Sequence, residues 1–318
     1  MARSSEKETE LIIREGLAEL EGWLTNLIHM GLWDFQIKEQ FFWNEIAYRM
    51  QLAKMDNLSQ WLQNLFNIQA ITDEALVGEL GRIMLLIRNF DQFDQLTDGT
   101  KVDICSAIGW FTPIQKMNHK NNHLEPWVVI GQRHRKVKPY LTEQINWLYG
   151  LDSNRTTSLR LSGEGEITSA PNLFVGQVID ASLTYLPSNA PVEVIISKYK
   201  GELPSSQING HTINEAMDNY TTALKGNPWL RPYPFFLRDI YITRFDRGWI
   251  VRHQNGAFLP IAPYYQPKWG LYALSGGHPI QLGATWNGYA LYPFSVNVDG
   301  NFYNLHPTID KKVWRYDE

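Results

Sequence analysis

The stretch from residue 271 to residue 288, LYALSGGHPIQLGATWNG, holds residue types that could bind a phosphate or attack a carbonyl. Gly276 and Gly277 could cradle an oxyanion, and Ser275 and His278 could act as nucleophile and base. A phosphate loop needs a helix directly after its glycines, but an extended segment is expected here, and the chain has neither Gly-Lys-Ser/Thr nor a Gly-x-Ser-x-Gly elbow. We predict that the glycines turn the chain between two strands, and that replacing Ser275 or His278 with alanine changes stability little.

A metal site is the second chemical possibility. His119 and His123 stand four residues apart, a spacing that chelates a metal on a helix, but NHKNNHLEP is rich in asparagine and ends in proline, which disfavours a helix. Cys105 is the one cysteine, so an internal disulfide and a thiolate-rich zinc site are excluded, and its apolar setting predicts a small buried residue. We therefore expect no metal and no cofactor.

The densest basic run, QRHRKVKP, is the candidate site for a phosphate or a partner. Its cations are Arg133, Arg135, Lys136 and Lys138. Such runs can hold a phosphate backbone, although no aromatic residue interleaves with this one and the whole chain is acidic. A solvated basic end of a hairpin is the favoured interpretation, and a nucleic-acid site is the alternative.

The elements that would position these residues fall into two groups, of which the first is helical. Apolar residues recur at spacings of three and four through the first third of the chain, and Thr72, followed by Asp73 and Glu74, is a good N-cap. A fifth, short helix is predicted within TKVDICSAIGW. The residues predicted to face the core are Ile13, Leu17, Leu20, Leu24 and Leu27 in the first helix; Ile37, Phe41, Ile46 and Met50 in the second; Leu58, Leu62 and Leu65 in the third; and Leu76, Leu80, Ile83 and Ile87 in the fourth.

The second group consists of strands. Short β-branched and aromatic runs alternate with turn residues, and one helix interrupts them, with a capping box at Thr212 and Glu215 and a stop at Gly226. Asn255-Gly256, Asn287-Gly288 and Asp299-Gly300 are hairpin signals, because a type I′ turn needs positive φ at both central residues.

The predicted fold is therefore α+β: an N-terminal helical bundle followed by a mixed, mostly antiparallel β domain with one capped helix. We expect an acidic helical domain at 1–115, a linker at 116–125, and a β-rich domain at 126–318 with its helix near 213–225.

Composition agrees with two globular domains. The 318 residues are 44% hydrophobic and 19% charged, which excludes disordered and fibrous classes. Residues 1–115 carry 9 Lys and Arg against 17 Asp and Glu, whereas no glutamate occurs from residue 216 to residue 317. Two halves of opposite charge balance are expected to attract either each other or different partners. No apolar run is long enough to span a bilayer and no signal peptide is recognisable, so a cytoplasmic location is expected.

Several segments occur in an order shared with a known family. EGLAELEGWLTNLIHMGLW, WVVIGQRHR, INWLYGL and VGQVIDASLTYLPSNAPVEVII, then NPWLRPYPFFLRDI, LYALSGGHPIQL and WNGYALYPFSVNVDG, resemble consecutive landmarks of bacterial SWIM zinc finger family proteins. That family carries a Cys-x-Cys…Cys-x-His motif ahead of the helical region, and this chain has no positions for those ligands. We therefore expect either a fragment or a form without the finger.

The resemblance implies an accessory or recruiting role, because such proteins are commonly encoded beside MoxR-type AAA ATPases and von Willebrand factor A proteins. The preferred function is a non-enzymatic interaction or adaptor module with a protein partner, possibly one of those two classes. Nucleic-acid binding through the run 133–138 is the alternative, and an unrecognised hydrolase is the second alternative. No membrane association is expected.

Overall fold

Helices occupy the first third of the chain and strands most of the remainder, which confirms the predicted α+β class. The computed structural model describes residues 2–31, 39–69, 72–110, 122–138, 141–164, 171–246 and 248–305. The chain forms two compact units. The first contains Met1–Asn118 together with Pro187–Ala190 and Ala223–Leu230, and the second contains the rest.

The first unit is built on five helices that bury the predicted apolar rows. They are α1 (Ala2–Met30), α2 (Gln40–Leu52), α3 (Asp56–Gln69), α4 (Asp73–Asp91) and α5 (Asp98–Ile108), with a short 3-10 turn at Phe93–Gln95. Thr72 caps α4 as predicted, because its hydroxyl accepts from the Ala75 N–H at 3.1 Å.

The prediction is wrong for one residue of these apolar rows. Phe41 is exposed, and Trp43 takes its place in the core beside Ile46 and Met50. A spacing of three and four from Trp43 follows the helical period, whereas Phe41 lies on the opposite side of α2. Ile37 lies outside the described residues.

The second unit begins with a closed five-stranded barrel. Its strands are β1 (Asn122–Lys138), β2 (Leu141–Gly150), β3 (Thr156–Glu164), β4 (Val178–Tyr185) and β5 (Glu193–Leu203), in the order β1-β2-β3-β5-β4. Only the β3–β5 pair is parallel. This five-stranded Greek-key arrangement is that of an OB-fold barrel. Residues 122–125, expected to be part of a linker, are instead the start of β1, and they pair with β4.

A six-stranded sheet completes the second unit. It contains β6 (Tyr233–Phe245), β7 (Gly248–His253), β8 (Phe258–Pro260), β9 (Ile280–Trp286), β10 (Leu291–Val298) and β11 (Asn301–Asn304), in the order β11-β10-β9-β6-β7-β8. Helix α6 (Ile213–Gly226) has the predicted capping box: the Thr212 N–H donates to Glu215 at 2.7 Å, and the Glu215 N–H donates to the Thr212 hydroxyl at 3.3 Å.

Barrel and sheet share an apolar layer. The Phe294 ring of β10 stacks on Trp147 of β2 with a centroid distance of 4.0 Å. A Cβ at Gly131 would lie 2.1 Å from that ring, and one at Gly283 would lie 2.3 Å from it. Both glycines are therefore required by close approach, and they let the sheet pack directly on the outer face of β1 and β2.

The predicted strand before Ser275 is wrong. Residues Lys268–Ser275 form a helix, α7, which buries Leu271. Gly276 and Gly277 follow it with φ of 54° and 77°, so they do turn the chain, but from a helix into β9. Ser275 is buried, and its hydroxyl donates to the Tyr272 carbonyl at 2.7 Å and accepts from the Gly277 N–H at 3.2 Å. These hydrogen bonds make Ser275 a structural part of the turn.

The three dipeptide turns lie between strands as predicted, but with mixed geometry. Asp299 and Gly300 both have positive φ, of 51° and 87°, as a type I′ turn requires. At the other two turns only Gly256 and Gly288 have positive φ. At these two turns the side-chain oxygens of Asn255 and Asn287 accept hydrogen bonds from backbone N–H groups of residues that follow the glycine. These bonds stabilise a turn that has only one left-handed residue.

Candidate functional site

The predicted basic run follows the second half of β1. Arg133 pairs with Ile145, Arg135 with Glu143, Lys136 with Thr142 and Lys138 with Leu141. Arg133 is partly buried, and the side chains of the other three lie outside the described residues. Phosphate or partner binding by this run stays a prediction.

Polar side chains fill the barrel interior beside this run. Gln132 donates its amide N–H to Asn146 at 2.9 Å and to the Leu173 carbonyl at 2.7 Å, and Gln144 donates to Asn146 at 3.0 Å. His134 lies 3.0 Å from the Gln132 amide oxygen, and burial lowers its pKa. His134 therefore belongs to a buried amide network that links β1 to β2. Although His134 lies within the basic run of the sequence, its side chain is part of this network.

The barrel face that binds ligands in OB-fold proteins is covered here on one of its two strands. That face is formed by the second and third strands. In this chain the outward residues of β2, Trp147 and Tyr149, are buried against Phe294 and Phe236 of the six-stranded sheet. The β2 part of that face is therefore covered by the chain itself, whereas Arg160 and Ser162 of β3 are exposed.

A buried carboxylate lies within the first unit. Asp103 of α5 accepts from the Ser188 hydroxyl at 2.6 Å, from the Asn189 N–H at 3.1 Å and from the Asn227 amide at 3.0 Å. Burial raises the pKa of Asp103 to about 6, because water is removed from the charged form. Asp103 thus ties two later segments of the chain to the helices.

A second polar junction lies on α4. Glu79 is fully buried and accepts from the Trp61 indole N–H at 2.7 Å. Arg82 donates to the Pro228 carbonyl, and its own carbonyl accepts from the Trp229 indole N–H at 3.2 Å. The contacts of Arg82 and Asp103 hold residues 187–190 and 223–230 in the first unit. Glu79 instead links α4 to α3 through Trp61.

The other residues considered for metal binding or catalysis do not form a common site among the described residues. His123 packs edge-on against Tyr185 at 5.2 Å, His119 lies outside the described residues, and Cys105 is buried as predicted. His278 is exposed, and the printed contacts of Ser275 are backbone groups of its own turn. Within the described part of the chain, no group of three or more His, Cys, Asp or Glu residues could hold a metal ion.

An exposed apolar stripe on α2 is the first surface that function could use. Phe41, Tyr48 and Leu52 are 76%, 59% and 64% exposed. Spacings of seven and four place them on one side of the helix, opposite the buried row of Trp43, Ile46 and Met50. Helix α2 is therefore apolar on two sides, and only one is covered by the bundle. We call these three residues the α2 stripe.

An exposed aromatic cluster in the second unit is the other surface. Trp249 of β7 contacts Trp269 and Tyr272 of α7, with ring centroids 5.0 Å and 5.8 Å away. Trp269 and Tyr272 are 66% and 43% exposed. Sequence reasoning missed these three residues because α7 was predicted as a strand; the i, i+3 spacing of Trp269 and Tyr272 was the signal available.

Comparison with known proteins identifies the helical region. Residues 8–108 match the family model of the SWIM-associated four-helix bundle domain. This match confirms, for the N-terminal third, the resemblance to the SWIM family region that follows the zinc finger. No curated protein and no solved structure matches the chain. Among the described helices, none has both the length and the apolar character needed to cross a membrane.

Proposed function

We propose, from the premise that residues 8–108 are a SWIM-associated four-helix bundle domain, that this protein is a non-enzymatic interaction module. The α2 stripe carries the proposal. A helix with one apolar side in the bundle and a second apolar side in solvent is suited to enter a groove on a partner protein. From Phe41 to Leu52 the stripe extends about 16 Å along the helix axis, which is three turns of contact.

The charge around the α2 stripe indicates what that groove contains. Glu45 lies between Phe41 and Tyr48 on α2 and shares Arg49 with Glu19 of α1. Residues 1–115 have a surplus of acidic residues. The complementary partner surface is an apolar groove bordered by Lys and Arg, because opposite potentials steer encounter and suppress wrong partners. The family resemblance favours a MoxR-type AAA ATPase or a von Willebrand factor A protein as the partner that carries this groove.

Binding of the full chain to a purified MoxR-type AAA ATPase and to a purified von Willebrand factor A protein from the same source tests the proposal. Replacing Phe41, Tyr48 and Leu52 together with serine should weaken binding by about 30-fold or more, since buried aromatic anchors contribute about 2 kcal/mol or more at an interface. The matched control is Val77→Ser with Leu85→Ser on α4, which removes exposed apolar side chains from another helix of the same unit.

Two results would count against this function. In one, neither candidate partner binds the full chain in surface plasmon resonance. In the other, the α4 control loses binding as much as the α2 variant. Circular dichroism of each variant distinguishes loss of a contact from loss of the helical fold.

A further inference from the structure

We propose that the aromatic cluster, Trp249 with Trp269 and Tyr272, binds single-stranded nucleic acid by base stacking. The rings meet almost at right angles: 82° between the two tryptophans, and 89° between Trp269 and Tyr272. Each edge supports the next ring face, so Trp269 and Tyr272 are held as fixed platforms although they are exposed. Rigid exposed rings are the feature that stacks successive bases in proteins that bind single strands.

A cationic side chain lies on the same face of the sheet as Trp249. Arg244 of β6 is directly opposite Trp249 in the β6–β7 register and is exposed. Directly opposite residues point to the same face, with Cβ atoms about 5 Å apart. The surrounding chain contains no glutamate from residue 216 to residue 317. The carboxylates of that range are aspartates, and the exposed Asp246 lies two residues from Arg244. A planar ring beside a guanidinium complements a base and its phosphate.

The geometry disfavours a cationic ligand. An aromatic cage for a quaternary ammonium group encloses the cation between ring faces. Here the centroids are only 5.0 to 6.4 Å apart and the rings already contact one another edge to face, so the space between them is filled. The neighbouring Arg244 would also repel a cation.

The size of the surface matches one or two bases. A large aromatic side chain has roughly 150–250 Å² to bury. Trp269 at 66% exposure and Tyr272 at 43% therefore offer only about 250 Å². One or two stacked bases need no more than the area of these rings.

Fluorescence anisotropy of the full chain with a labelled oligothymidylate of about 15 nucleotides tests the proposal, because thymidine strands have little structure of their own. Trp269→Ala should weaken binding by roughly 5- to 150-fold, the effect of removing one stacking ring. Trp269→Phe, which keeps a ring, should restore most of the affinity. Phe258→Ala is the matched control, since Phe258 is an exposed aromatic residue of β8 that pairs with Arg252, on the face opposite Trp249.

Salt dependence provides a second measurement that a purely structural role would not change. Arg244→Gln should reduce the slope of log affinity against log salt by about 0.7, the value for one phosphate contact on a single strand. The proposal is overturned if the oligonucleotide does not bind at low salt, or if Trp269→Ala binds as the unaltered chain does. It is also overturned if neutralising Arg133, Arg135, Lys136 and Lys138 abolishes binding while Trp269→Ala leaves it unchanged.

Discussion

Asp103 shows how one buried acid can organise distant parts of a chain. Its carboxylate accepts three hydrogen bonds from residues 85, 86 and 124 positions away. Hydrogen bonds favour the charged form and burial opposes it, and burial dominates, since the pKa rises to about 6. The balance makes Asp103 a group whose protonation is linked to folding.

The linkage has a definite sign. The pKa of folded Asp103 lies above its ordinary value of 3.8, so the folded state holds the proton more tightly than the unfolded state. The stabilisation is complete below pH 3.8 and is lost as pH rises through about 6. Urea unfolding from pH 4 to pH 7 should therefore show the free energy of unfolding falling by about 2 kcal/mol relative to Asp103→Asn, which cannot titrate.

Other titrating groups are common to the two proteins and cancel in that difference. Parallel curves for the unaltered chain and Asp103→Asn would show that Asp103 titrates at its ordinary pKa. The sequence predicts a helix around Asp103 but not this role, because its partners Ser188, Asn189 and Asn227 reach it only through the tertiary fold.

Helix α7 shows what periodicity can and cannot settle for one element. The run WGLYAL is short, apolar and bounded by turn residues, a pattern shared by buried strands and short buried helices. The positive φ of Gly276 and Gly277 was predictable from residue type, whereas the helix before them was not. The error in α2 is of another kind, because periodicity does decide there: Trp43 lies three residues before Ile46 on the helical period, whereas Phe41 does not.

The end of α7 gives a prediction that separates a structural serine from a catalytic one. Ser275→Ala should lower the free energy of unfolding by about 1 kcal/mol, because the turn loses two hydrogen bonds in a buried position. His278→Ala should change it little, since His278 is exposed. Thermal unfolding of the two variants measures the difference. A hydrolase activity lost in both variants with the fold intact would instead make the pair catalytic.

At the scale of the whole molecule, a single cut cannot separate the two units. The first unit takes Pro187–Ala190 and Ala223–Leu230 from within the β-rich part of the sequence. The change from helical to strand patterning near residue 115 indicates the main division of the chain. That change cannot indicate that Pro187–Ala190 and Ala223–Leu230 belong to the first unit. Locally, SNA and NPWL have the composition of a loop and a turn. Their contacts with Asp103 and Arg82 form only in the tertiary fold.

The fragment 1–118 should therefore be less stable than the same helices in the full chain. It lacks the donors to Asp103 and the Trp229 side chain that packs at Arg82, so buried polar groups lose their partners, at about 1–3 kcal/mol each. Urea unfolding followed by circular dichroism at 222 nm, a helical signal, measures the midpoint of each. Equal midpoints would show that the two later segments contribute nothing to the helices.

The position of Asn227 also sets an order of events during synthesis. Asn227 is 124 residues beyond Asp103, and at roughly 5–20 residues per second the ribosome needs about 6 to 25 seconds to make that distance. The five helices thus leave the ribosome well before the residues that complete their unit. For that interval the nascent bundle holds an acid without its partners, and a chaperone that shields it has those seconds in which to act.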